Sequence, residues 1–87
     1  MGLNNYKILI MKRQEFVNYL LEELGEFDPE ANENTAFKSL EFWDSMSSLV
    51  IIAAVDSEFS ITFSTEQLNK FDSFKDIIEE IGADKFE

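Results

Sequence analysis

The feature that most restricts this chain is a stretch running from Met46 to Phe59 that is long enough for a helix and carries no charge before Asp56. Ser48, Ile51, Ile52, Val55 and Phe59 fall on one helical stripe, and Met46, Leu49, Val50 and Ala53 fall on the stripe beside it. A helix on the surface of a small globule buries an apolar face little more than 100° wide. The first stripe, with Ile52 and Phe59 as core, is expected to meet the rest of the molecule. The second is then either central core or a surface kept for another molecule.

The remaining segments determine which elements are available to cover that helix. Phe16, Val17, Leu20, Leu21 and Leu24 recur at helical spacing with Glu15, Asn18, Glu22 and Glu23 between them. This predicts a first helix over residues 12 to 24, stopped at Gly25 by a left-handed residue. Residues 1 to 11 either extend this helix or fray, and Asn4-Asn5 favours fraying at the beginning. From Gly25 to Trp43 there is no steady period. That length is unusual for a loop unless the loop is functional or packed by its own side chains, and Phe37, Leu40, Phe42 and Trp43 suggest that it folds back over the core.

Beyond Phe59, Ile61 and Phe63 alternate with polar residues over a span too short to recruit a sheet partner. Ser64 with Gln67 has capping-box spacing and opens a short helix through Leu68. Ser73 with Asp76 opens the last helix in a similar way. Phe74, Ile77, Ile78 and Ile81 then follow the i, i+3, i+4, i+7 pattern, and Gly82 ends it. The expected fold is all-α: a small bundle of three main helices plus one short helix, with a long loop between helices one and two. Residues 12 to 87 form a single domain, since 87 residues leave no room for a second core.

Composition narrows the function classes. With 18 acidic and 7 basic residues the formal net charge is −11, which repels phosphate backbones and argues against nucleic-acid binding. Apolar residues make up 45% of the chain, so a folded acidic domain is expected instead of a disordered tail. The chain has neither Cys nor His, which removes disulfides, thiolate metal sites and the commonest general base. The apolar run Ile8-Leu9-Ile10-Met11 is too short for a signal core, and Lys12-Arg13 follows it instead of preceding it. No membrane span is expected, and a cytoplasmic location is. Asp28, Glu30, Asn32 and Asn34 have the alternation of a calcium loop, but Glu33 stands where Gly is needed and Ser39 where a bidentate Glu is needed.

Two Asp-Ser pairs, Asp44-Ser45 and Asp72-Ser73, stand at expected helix starts, where either residue type is a good N-cap. Asp44-Ser45 has a second reading. Its hydroxyl lies at the mouth of the long loop, where the helix dipole and unpaired first-turn amides are expected to favour an attached phosphate. Trp43-Asp44-Ser45-Met46, the apolar helix ending in Glu58-Phe59, Ile61-Thr62-Phe63, and the closing helix with Ile77-Ile78 and Ile81 together resemble an acyl carrier protein, from about Phe16 to Ile81. The resemblance implies that Ser45 is esterified by 4′-phosphopantetheine, whose thiol holds an acyl or aminoacyl group as a thioester. It also implies that Asp44 helps the phosphopantetheinyl transferase that installs the arm, and that the chain is not itself an enzyme.

Met46 stands where the family usually has Leu, and the helix after Ser45 lacks the early acidic residues of fatty-acid-synthesis carriers. Docking is therefore expected to use apolar contact through Met46, Leu49, Val50 and Ala53, with Asp56 at the end. Trp43 is more similar to stand-alone carriers of specialised pathways. The implied partners are an acyl- or aminoacyl-loading ligase and downstream transferases or synthases, met by a monomer. Another reading is an unmodified acidic helical adaptor that binds a partner through the same stripe. A hydrolase working through carboxylates ranks last, since Glu22-Glu23 and Glu79-Glu80 read as solvated helix faces.

Overall fold

A computed structural model describes residues 11–87. In it the chain forms four α-helices: α1 (Arg13–Glu23), α2 (Ser45–Phe59), α3 (Thr65–Asn69) and α4 (Phe74–Ile81). Short 3₁₀ turns occupy Phe37–Ser39 and Ala83–Lys85, and no strand occurs among the described residues, where pairing is limited to two isolated bridges. The fold is the small all-α bundle expected from the periodicity. Of the segment 1–11 only Met11 is described, and it bridges to Phe86 instead of lengthening α1. The expectations for residues 1–10 lie outside the described residues.

α1 buries Phe16, Val17, Leu20 and Leu21 and ends in a Schellman motif. The amide of Gly25 donates to the carbonyl of Glu22 and that of Glu26 to Leu21, each at 2.9 Å, with Gly25 at φ 75°. α4 contributes Phe74, Ile77, Ile78 and Ile81, and α3 contributes Leu68. The capping box of α3 forms as the spacing suggests: the Gln67 amide donates to Ser64 Oγ at 3.0 Å and the Ser64 amide to Gln67 Oε1 at 2.9 Å.

The long loop is anchored by its own groups. Phe37 is fully buried, with its ring 5.3 Å from that of Phe74 and 5.1 Å from that of Trp43. The first amides of α4, which no helical carbonyl can serve, find loop carbonyls: Phe74 donates to Thr35 at 3.3 Å and Lys75 to Glu33 at 2.7 Å. Arg13 reaches across to Glu33 at 2.8 Å. Tied to α1 and α4 in this way, the loop delivers Trp43 and Asp44 to the start of α2 at a fixed place.

The facing of α2 differs from the expected one in detail. Ile51 and Val55 are buried as anticipated, but the rest of the buried set is Ser47 and Ala54, not Ser48. Ile52 and Phe59 are partly buried and pack against the core without lying inside it. Ser47, with its hydroxyl on Asp44, lies on the buried arc with Ile51, Ala54 and Val55, and the Ala54 side of that arc meets α1, where Tyr19 donates to the Ala54 carbonyl at 3.3 Å. Phe59 still meets the rings of Phe16 and Phe86 at 5.7 and 5.5 Å. Phe86, buried at the end of the chain, had no periodic signal to announce it.

Candidate functional site

The start of α2 is built around one carboxylate. Asp44 has extended backbone, φ −146° and ψ −174°, as an N-cap requires. Its Oδ1 accepts the amides of Met46 at 2.9 Å and Ser47 at 3.1 Å, and the hydroxyl of Ser47 at 3.2 Å. The Ser47 hydroxyl oxygen accepts the amide of Asp44 at 3.1 Å in return, which closes a reciprocal box. The sequence carried this signal as an Asp-x-x-Ser spacing that the reading of Asp44-Ser45 as a pair overlooked.

Ser45 is the first residue of α2, is exposed, and its hydroxyl makes no hydrogen bond among the described residues. Each neighbour is engaged in the cap or in the helix, while this one hydroxyl stays in solvent. The second oxygen of Asp44, Oδ2, accepts no hydrogen bond among the described residues either. A nucleophilic hydroxyl and a carboxylate oxygen therefore share one solvent-facing corner.

One expectation needs correction. A phosphate on Ser45 was expected to meet unpaired first-turn amides, but Asp44 already holds those of Met46 and Ser47. The anionic group that complements the helix dipole is the protein's own carboxylate. A phosphate on the Ser45 hydroxyl would sit beside that negative charge, with two of the first-turn donors already taken.

Beyond Ser45 the expected docking residues do form one face. Met46 is 63% and Leu49 50% exposed, Ala53 and Asp56 are exposed, and Val50 is half-buried. The carboxylate of Asp56 accepts the hydroxyl of Thr62 at 3.2 Å, which fixes the chain leaving α2 after the left-handed residue Ser60, φ 58°. The second stripe of α2 is therefore surface, with two large apolar side chains next to the free hydroxyl. No helix among the described residues is long and apolar enough to cross a membrane.

A concavity lies elsewhere. A groove runs between α1 and the loop after it, lined by residues that include Tyr19, Leu21, Phe27 and Pro29, and Ser45 takes no part in it. The exposed ring of Phe27 went unnoticed in the sequence because a lone apolar residue in an acidic turn has no period. Nearby, the residues with calcium-loop alternation make local turns: Asp28 Oδ1 accepts the amide of Glu30 at 3.0 Å and Asn32 Oδ1 that of Asn34 at 2.8 Å. Among the described residues no cluster of three or more potential metal ligands forms.

Among the described residues two titrating groups are perturbed, both outside the α2 corner. Burial, with help from Glu23 and Glu58, pushes the Tyr19 phenol up, and its hydroxyl donates to the carbonyl of Ala54 at 3.3 Å, linking α1 to α2. The amides of Asp72 and Ser73 hold the Asp76 carboxyl below the usual range, at 2.8 and 3.1 Å. Ser73 is the N-cap of α4, but its side chain makes no capping bond; the Asp76 half of the expected box is the part that forms. Comparison of the chain with protein-family models, curated proteins and solved structures finds no match.

Proposed function

We propose that the protein is a carrier that holds an acyl or aminoacyl group on a 4′-phosphopantetheine arm esterified to Ser45, and presents it to partner enzymes of a specialised biosynthetic pathway in the cytoplasm. The observation that carries this reading is the exposed, unbonded Ser45 hydroxyl at the first position of α2, bordered by the uncovered Met46 and Leu49. The residues at this corner fit such a group: the hydroxyl is exposed, and esterifying it disturbs no hydrogen bond among the described residues. When bound, the arm supplies a terminal thiol, which a chain without Cys does not have.

The chain's own residues then do three things. Asp44 Oδ1 fixes the first turn of α2, which holds Ser45 at the end of a rigid element. Asp44 Oδ2 is left to be read by the phosphopantetheinyl transferase that modifies Ser45. Met46, Leu49, Val50 and Ala53, with Asp56 at the far end, give the loading ligase and the downstream transferases or synthases an apolar face to rest on. Because Asp44 already holds the amides of Met46 and Ser47, those two donors are not left to clamp a phosphate on Ser45. In this reading the protein transports as a monomer and other proteins catalyse.

Co-expression with a phosphopantetheinyl transferase should add the mass of one phosphopantetheine group, and Ser45→Ala should abolish the gain. The adaptor reading uses the same exposed stripe and separates on the hydroxyl. An adaptor keeps full partner binding after Ser45→Ala and never gains the mass.

A further inference from the structure

We infer that the groove between α1 and the following loop is a second docking surface, taking a basic segment of a partner protein that carries an apolar side chain. The groove, about 930 Å³ and open to solvent, has room for several side chains. Glu15, Glu22, Glu26, Asp28 and Glu30 all contribute to its lining, and no Lys or Arg does. The carboxylates of Glu22, Glu26 and Glu30 accept no hydrogen bond among the described residues, so their charge is not spent inside the fold.

Phe27 supplies an apolar contact inside this acidic frame. Of nine Phe residues it is the one left in solvent, 86% exposed, while the other eight are buried or partly buried. Its exposure is built in. The turn that carries it is held on one side by the Schellman motif at Gly25. On the other side Ala31 is buried, with its carbonyl accepting Gln14 Nε2 at 2.9 Å. Aromatic side chains, Phe among them, are enriched where one protein surface meets another.

Charge complementarity selects the occupant. A second copy of this chain, at −11, is repelled, and so is an anionic lipid surface, whereas a Lys- or Arg-bearing segment is drawn in. Ser45 and Met46 take no part in lining the groove, so a change at Ser45 leaves its lining intact.

The test is an NMR titration of the isotope-labelled full chain with a short synthetic peptide alternating Lys with Leu and Phe. Amide shifts should concentrate on residues 15–31, and a Glu-for-Lys version of the peptide should not bind. Phe27→Ala, which changes no charge, should weaken binding about tenfold, as should the pair Glu22→Gln and Glu26→Gln. Ser45→Ala should have no effect. Shifts spread evenly over the acidic surface, or centred on Met46 and Leu49, or an affinity within about twofold after Phe27→Ala, would overturn the proposal. So would self-association of the free chain that Phe27→Ala abolishes, since that assigns the groove to a second copy.

Discussion

Replacing Asp44 separates the mechanical and the chemical use of one side chain. In Asp44→Ala the amides of Met46 and Ser47 lose an acceptor at 2.9 and 3.1 Å, and the Ser47 hydroxyl, only 6% exposed, loses its acceptor at 3.2 Å. Loss of an Asp cap costs about 1 kcal/mol, up to about 2, and the lost charge at the helix start adds about 0.3 to 1 kcal/mol. A total of about 2 kcal/mol is a large share of the roughly 4 to 13 kcal/mol available to a domain of this size. With a urea dependence of about 1 kcal/mol per molar, the unfolding midpoint should fall by about 2 M.

Asp44→Asn keeps an oxygen in the same place and should cost only about 0.5 kcal/mol, the dipole part alone. The folded Asn variant then reports on the carboxylate itself. On the proposed reading, in which a phosphopantetheinyl transferase reads Oδ2, the rate of transfer should drop about tenfold or more, as expected when a charged contact between two proteins is lost. Urea unfolding followed by circular dichroism, beside intact-mass time courses of modification, reads both quantities. If Asn destabilises as much as Ala, the capping geometry is wrong. If the Asn variant is modified at the original rate, the enzyme does not read the charge.

Three further outcomes follow from packing and charge. Phe86→Ala should cost about 2 to 4 kcal/mol in urea unfolding, since the ring is 7% exposed and lies 5.2 Å from Phe16; no change would show that the chain end is not docked. Leu49→Asp should cost less than about 0.5 kcal/mol yet weaken partner binding, while Phe16→Asp should unfold the protein; the reverse would mean that the faces are misassigned. Asp76 titrates below its ordinary value because its charged form holds two amides, so its stabilisation is complete above about pH 4 and is lost as acid protonates the folded form. Asp76→Asn should therefore flatten the acid limb of the stability curve, and an unchanged limb would refute the link.

What the sequence made legible was periodic or locally capped. The stripes of α1 and α4, the Ser64–Gln67 box and the stop at Gly25 each depend on residues within a few positions of one another, and all are as read. The facing of α2 was legible only in part. Ile51 and Val55 fit either of two closely related rotations, and the one adopted buries Ser47 and Ala54, whose contacts are a polar box with Asp44 and a bond from Tyr19 of α1. Phe27 and Phe86 escaped because no neighbour in sequence shares their surroundings. One is displayed by a turn held at both ends, and the other is buried by Phe16, seventy residues away in the chain. Ser45 is exposed, and no spacing in the sequence could have fixed that, since it depends on how α2 meets the rest of the bundle.

Intact-mass and fragment mass spectrometry of the protein recovered from its native cell tests the central claim most directly. The account predicts a population heavier by one phosphopantetheine group, with the added mass confined to Ser45 and absent from Ser45→Ala. A chain that stays unmodified there and with several competent transferases, or a Ser45→Ala variant that still gains the group, contradicts it.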